Sequence, residues 1–245
     1  QWESSPNVNG PWTAVSAILS NAIYSHTPTG NTYYRCKIVC SGGAPVYSAP
    51  VLVNVDANLM SGTYTINSGA PTAGTNFNSF AALVTRLECG INGPVVINVV
   101  PNSGPYNETD TFGDIFGTSA TNTIRINGNG NTLQFNCNAT DFRLITFDGT
   151  KHMTIDSLHI KTLNATYGWG VTYTNGAKYD SLLRCHIDLS TITGTSSANS
   201  NGIVISNSLT SPTTSGAEVK NIYIGNNLVN AGHPTSAGGA YYAMS

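Results

Sequence analysis

Lys151-His152-Met153-Thr154-Ile155-Asp156-Ser157-Leu158-His159-Ile160, Lys178-Tyr179-Asp180-Ser181-Leu182-Leu183-Arg184-Cys185-His186-Ile187 and Lys220-Asn221-Ile222-Tyr223-Ile224-Gly225-Asn226-Asn227-Leu228-Val229 align as three ten-residue windows without a gap. Lys comes first, an aliphatic fifth and a β-branched aliphatic tenth. A second apolar strand precedes each window: Leu144 to Phe147, Val171 to Tyr173 and Ile203 to Ile205. One strand–turn–strand unit cannot bury its own apolar face, so a recurring unit predicts copies stacked into a solenoid. The steps are 27 and 42 residues, and the Ser/Thr/Gly/Pro-rich stretch from Thr191 to Ala217 absorbs the longer one as loops. Ile155, Leu158, Ile160, Leu182, Ile187, Ile224 and Val229 are the expected core ladder. Cys185 takes the slot of Leu158, and Asn226 or Asn227 is placed to add an Asn contact along the stack.

Working outward, composition agrees with this reading. Of 245 residues only 9% are charged, while Asn, Thr, Ser and Gly supply 107. Thr and Asn suit the outward positions of strands, and Gly and Asn suit turns. With 40% hydrophobic residues in period-2 runs the chain can fill a core, which argues against disorder. The net charge of −2 and the lack of a Lys/Arg cluster in sequence argue against nucleic-acid binding. No apolar run reaches the roughly 18 residues of a membrane span. Gln1 falls inside an expected strand, and Tyr241-Tyr242-Ala243-Met244-Ser245 reads as the strand of a next coil. The chain therefore reads as an internal fragment of a longer secreted polypeptide, its β-helix truncated at the C-terminal end.

Residues 1–55 read as short strands. Tyr34 stands two residues before Cys36, the tyrosine-corner spacing of immunoglobulin-like sandwiches, with Trp2 in the position of the strand-C tryptophan. Cys36 and Cys40 lie about 13 Å apart on one expected strand, Tyr33 to Val39, too far to pair with each other. Either they are buried thiols or their partners lie upstream of Gln1. Residues 56–60 form a linker, and 61–245 the solenoid. Within it, Asn78 to Leu87 is the one expected helix, capped by Asn78 or Ser79 and ended by Gly90. It is expected to cover the first coil as an N-terminal cap. Val95 to Val100 reads as a strand of a buried parallel sheet.

Two stretches resemble a known family. Gln1-Trp2-Glu3-Ser4-Ser5 and Thr32-Tyr33-Tyr34-Arg35-Cys36 are similar to immunoglobulin-like modules of large Bacteroidetes-type surface proteins exported by type IX secretion. Ser61-Gly62-Thr63-Tyr64-Thr65-Ile66, Asn78-Ser79-Phe80, Cys89-Gly90-Ile91-Asn92-Gly93-Pro94-Val95 and Gly117-Thr118-Ser119-Ala120-Thr121-Asn122-Thr123-Ile124 resemble the opening of the right-handed parallel β-helix in the same proteins. The later repeats look like pectate-lyase-type coils. The resemblance implies an all-β chain: the C-terminal part of an immunoglobulin-like sandwich, then a right-handed parallel β-helix with an N-terminal capping helix, in an extracellular or cell-surface setting. It carries no catalytic motif. Asp156-Ser157-Leu158 and Asp180-Ser181-Leu182 resemble the Bacteroidetes O-glycosylation motif, making Ser157 and Ser181 candidate acceptors.

In-register windows put His159 beside His186 and stack Lys151, Lys178 and Lys220, with Arg184 and Asp156 on the same side. A β-helix polysaccharide lyase needs a base and a cation beside a uronate carboxylate, so Lys178, Arg184 and His186 are the catalytic candidates, weighed against outward residues whose aliphatic stems cover the sheet. His159 and His186 alone are two metal ligands without a third, and Asp156, Asp180 and Asp188 are too scattered for calcium. Glu108, Asp110 and Asp114 form the densest acidic run, read as a solvated turn. Trp169, between Gly168 and Gly170, and Tyr167 are the candidate exposed aromatics for stacking on sugar rings, with Tyr241 and Tyr242 on a further coil; Tyr173 reads as core. No metal or cofactor motif is present. The first expectation is a non-enzymatic stalk or adhesin that contacts carbohydrate. The alternatives are a polysaccharide lyase or hydrolase, and a filament subunit assembling by strand complementation.

Overall fold

The computed structural model describes residues 1–18, 23–26, 28, 30–40, 42–55, 59–194, 196, 198–230 and 241–243, and divides into two compact units, Gln1–Asn58 and Leu59–Ser245. Most of the expected linker, 56–58, lies outside the described residues.

The first unit holds β1 (Trp2–Ser5), β2 (Thr13–Ala14), β3 (Thr32–Ile38), β4 (Val46–Tyr47) and β5 (Val51–Val53) in one antiparallel sheet. Trp2 sits opposite Cys36, and Ser4 opposite Tyr34. One face is organised around a cation. Arg35 lies between the rings of Trp12 and Tyr47, at 4.2 and 4.0 Å, and pairs with Glu3 at 2.7 Å. On the opposite face Trp2, Tyr34, Val51 and Val53, with Tyr24 and His26 beside them, line an open cleft of about 570 Å³. No second sheet covers it among the described residues.

The second unit begins with β6 (Met60–Ile66), β7 (Asn76–Phe77) and α1 (Phe80–Leu87), the one helix among the described residues. It continues with β8 (Ile91–Val99), β9 (Tyr106–Asn107), β10 (Asp110–Phe112), β11 (Ile124–Asn127), β12 (Thr132–Phe135), β13 (Arg143–Asp148), β14 (Met153–Asp156) and β15 (His159–Thr162). The last strands are β16 (Gly168–Thr174), β17 (Ser181–Leu183), β18 (His186–Asp188), β19 (Ser200–Ile205), β20 (Tyr223–Gly225), β21 (Leu228–Asn230) and β22 (Tyr241–Ala243). These strands form three parallel sheets. One runs β10-β13-β16-β19-β22, the second β20-β17-β14-β11-β8-β6-β7 and the third β21-β18-β15-β12-β9. The second unit is thus a β-solenoid of about five turns.

The register is the one the windows predict. Ile155 lies opposite Leu182, and Leu182 opposite Ile224; Ile160 lies opposite Ile187, and Ile187 opposite Val229. Ile155, Leu158, Ile160, Leu182 and Ile187 are fully buried, while Ile224 and Val229 pack against the core half-buried. The ladder reaches further back than the windows do. Ile126 stacks on Ile155, Ile97 on Ile126 and Tyr64 on Ile97, so the repeat begins at β6 rather than at Leu144. The upstream coils lack the leading Lys, which is why they read only as isolated strands.

Each window bends at both ends of its first strand. His152, Tyr179 and Asn221 take left-handed φ of 57°, 60° and 55°, and Ser157, Arg184 and Asn226 take 54°, 49° and 56°. A side chain in that region costs roughly 1 kcal/mol, and the stacked coils impose it because the chain must turn there to enter the next sheet. Of the two Asn candidates, Asn227 makes the inter-coil bonds. Its Oδ1 accepts from the Cys185 amide at 2.8 Å and its Nδ2 donates to the Leu182 carbonyl at 2.8 Å.

The helix is two residues shorter than expected. Ser79 is its cap, accepting from Ala82 N at 3.0 Å, and Phe80, Leu83 and Leu87 are buried. Glu108 adds a tether from the far end of β9, where its carboxylate accepts from the Phe80 and Ala81 amides at 2.9 and 3.0 Å. Two amides at a helix start, otherwise without partners, are thereby satisfied by a negative charge.

Candidate functional site

Stacking in register turns single residues into columns, and three polar columns run along the solenoid. The first is the lysine column. Lys151 bridges to Lys178 and Lys178 to Lys220 through the backbone. Beside it, the His152 and Tyr179 rings stack at 4.9 Å and 8°. Asp114 pairs with Lys151.

The second column is centred on Asp156, whose side chain is only 4% exposed and pairs with both Arg125 of the coil before and Arg184 of the coil after. Arg125 Nε also donates to Asn127 at 2.9 Å, and Asn127 donates to Asn98 at 2.8 Å. One carboxylate oxygen therefore joins three successive coils, accepting from one guanidinium nitrogen of each arginine.

The third column is the histidine pair. The His159 and His186 rings stack at 4.4 Å and 3°. Thr132 lies 3.2 Å from His159 Nδ1, while Asp188 is 3.7 Å from His159 Nε2 and 3.4 Å from Lys161. Burial, and then the neighbouring His186, lower the His159 pKa against the pull of Asp188. At Asp188 burial works upward, but the Ser190 hydroxyl and amide together with Lys161 outweigh it and hold the carboxyl below its usual range. Parallel rings aim their nitrogens side by side rather than at one point, and no group of three metal-ligating side chains occurs among the described residues.

The three catalytic candidates occupy different positions of one coil. Lys178 precedes β17, Arg184 follows it, and His186 lies on β18 of the adjacent sheet. Each belongs to a different column. Arg184 is engaged by Asp156 and His186 by His159.

Trp169 is a correction. It is fully buried, packs edge-on against Phe142 at 5.1 Å, and donates from Nε1 to the Ala198 carbonyl at 3.0 Å. Its flanking glycines are packing positions. A Cβ on Gly170 would stand 2.4 Å from Ile187 Cγ2 and 2.5 Å from the Gly202 carbonyl oxygen, and one on Gly168 would stand 2.9 Å from Thr162. Side chains alternate along a strand, so both glycines face away from the indole, which is covered instead by Phe142 and the backbone at Ala198. Tyr167 is half-buried and lines a cleft of about 180 Å³ with Phe142, Asn199 and Thr210. Tyr173 is core, as expected, with its ring stacked on Phe147 at 4.6 Å. The side chains of Tyr241 and Tyr242 lie outside the described residues.

Ser157 and Ser181 are both half-buried, and Ser157 donates to Asp156 at 2.9 Å. Cys36 is half-buried and Cys40 exposed, both as free thiols, so neither is the buried thiol of the first alternative. Cys185 is a core residue, and burial pushes its thiol up to about 11.

The acidic run is not one solvated turn. Asp114 pairs with Lys151 and Glu108 caps α1, but Asp110 is buried on β10, and burial with the nearby Glu108 raises its carboxyl to about 8. Asp180 is likewise inside. It accepts from Thr150 Oγ1 at 2.7 Å and from the Met153 amide at 2.8 Å, and burial raises its carboxyl to about 6. The windows carried the signal for Asp180, which shares the third position with Met153 and Ile222.

No helix among the described residues is long and apolar enough to cross a membrane. Comparison with family models, with curated proteins and with solved structures returned no match.

Proposed function

We propose that this chain is a non-enzymatic, extracellular surface protein, a stalk or adhesin whose rigid solenoid contacts carbohydrate. The observation that carries the reading is the Asp156 column. Asp156, Arg125 and Arg184 engage one another and link three coils. A chain that commits its strongest charges to inter-coil bracing is built for stiffness. Its Asn/Thr/Ser/Gly-rich surface offers hydrogen bonds to sugar hydroxyls.

On this reading the solenoid is right-handed, as parallel crossovers are in nearly all known cases. The helix α1 is its N-terminal cap, supported by the burial of Phe80, Leu83 and Leu87 and by the Glu108 tether. The first unit is part of an immunoglobulin-like sandwich, supported by the pairing of Trp2 with Cys36 and by the apolar cleft on one face of its sheet. The resemblance of residues 1–5, 32–36 and 61–66 to type IX secretion cargo supports the extracellular setting.

A glycan and polysaccharide array tests this, read for binding and for release of unsaturated sugar ends. Binding without turnover is expected. Turnover overturns the reading, and alanine variants of Lys178, Arg184 and His186 would then show whether the lyase alternative holds at those residues.

A further inference from the structure

We propose that the Lys151–Lys178–Lys220 column is the contact surface for a linear anionic glycan, one carrying regularly spaced carboxylates or sulfates and lying along the solenoid axis. The proposal rests on the carbohydrate-contacting reading above and names the class of glycan and the surface.

Four observations carry it. First, backbone bridges fix the three Cα positions in consecutive coils, so the ammonium stems leave the chain about 4.8 Å apart along the axis. That separation is comparable to one sugar residue of an extended polysaccharide. Second, the residue after each lysine has the same left-handed backbone, 57° at His152, 60° at Tyr179 and 55° at Asn221, so the three stems start from one repeated corner. Third, two of the three lysines lack the neutralisation that the other cations of the solenoid have. Arg125 and Arg184 meet Asp156, Lys161 meets Asp188 and Lys151, at the end of the column, meets Asp114, but among the described residues no carboxylate pairs with the ammonium of Lys178 or Lys220. Like charges stacked on adjacent strands repel, and a bound polyanion would relieve that repulsion. Fourth, Tyr179 is 50% exposed and its ring lies flat on His152, an aromatic platform beside the cations. A carboxylated or sulfated sugar offers both an anion for the lysines and a C–H face for the ring.

The experiment is affinity gel electrophoresis of the purified chain in polygalacturonate, dextran sulfate, single-stranded DNA and neutral dextran, at low and high salt. Retardation is expected in one or both anionic glycans, with the stronger one identifying carboxylate or sulfate. It should weaken at high salt, because exposed charges are screened. A Lys178→Gln/Lys220→Gln variant should bind about tenfold more weakly or worse, Lys178→Arg/Lys220→Arg should retain binding, and Tyr179→Ala should weaken it without changing its salt dependence. Lys37→Gln, in the other unit, should change nothing. Undiminished binding by the double Gln variant overturns the proposal, as does equal retardation in DNA or an absence of retardation in both anionic glycans. Salt-independent retardation in neutral dextran, unaffected by the lysine variants, would sink the column and leave the stalk or adhesin reading standing. Cleavage of polygalacturonate would sink that reading while the lysine variants still report on the column.

Discussion

The two units of this chain handle the same problem differently. Both are built from short strands with one apolar face. In the solenoid each coil lays its apolar residues on those of the next, so Ile155, Leu182 and Ile187 lose all contact with water. In the first unit one sheet is described, and Val46, Val51 and Leu52 remain 67%, 63% and 41% exposed. Its organised face is the polar one, where Arg35 is held by Trp12, Tyr47 and Glu3. Period-2 patterning alone therefore does not close a core. A strand needs a covering layer, and in the solenoid the repeat supplies it.

The largest test of that contrast is pH, because only a closed interior seals in a carboxyl group. Asp110 has a folded value of about 8 against an unfolded value near that of an ordinary aspartate. Between these values the unfolded chain holds fewer protons than the folded one, so stability falls as pH rises from about 4 to 8 and is constant above. The loss reaches about 6 kcal/mol at most. Asp180 adds a smaller loss of the same sign, complete by about pH 6. His159, whose value is lowered, works the other way, since its contribution is lost as pH falls below the ordinary histidine value. Urea unfolding of wild type and Asp110→Asn across this range isolates the Asp110 share as the difference between the two curves. Hydrogen exchange read by mass spectrometry should place the change in the solenoid and leave residues 1–55 unmoved. Parallel curves for the two proteins would mean that Asp110 is not sealed.

Next in size is the ladder itself. Ile155→Ala should cost about 3 kcal/mol, the transfer of a buried aliphatic group plus the cavity it leaves between the coils of Ile126 and Leu182. Urea midpoints measure it. A cost under about 1 kcal/mol would show that the coils relax into the gap and that the interior is looser than its burial suggests.

How much of this was legible follows from the same contrast. The windows exposed the ladder because stacking demands like residues at like positions, and that demand is written in sequence as a repeat. The upstream coils obey the same register without the same residues: Asn122-Thr123 stands where Lys151-His152 stands one coil later, so only their apolar strands could be read. The burial of Trp169 is not legible in Gly168-Trp169-Gly170, because what covers the indole, Phe142 and the Ala198 backbone, lies 27 and 29 residues away. Asp156 was read as a neighbour of Arg184, but its second partner, Arg125, comes from a coil that no window contains. The lysine and histidine columns were legible because both partners fall inside windows. The first unit gave no such internal check, since its strands are each different.

Asp156→Ala should cost about 2 kcal/mol, less than Ile155→Ala, because Arg125 and Arg184 are 40% and 54% exposed in their side chains and water compensates them when the carboxylate is lost. A double-mutant cycle with Arg184→Ala measures the coupling. Coupling near zero would remove the bracing role on which the functional reading stands.

The smallest effect belongs to the open sheet. Val51→Ala removes two methyl groups that are already largely in water, so its cost should stay within about 0.5 kcal/mol. The same substitution at Val171, fully buried in the solenoid and paired with Ile145 and Ile203, should cost several times more. Paired measurement at the two valines holds the chemistry fixed and varies only the covering layer. Should Val51→Ala prove as costly as Val171→Ala, the apolar face of the first unit is covered in solution, and the cleft lined by Trp2, Tyr34, Val51 and Val53 is occupied. Should it prove neutral, closure belongs to the repeat, and the difference between the two units is the stability that stacking adds.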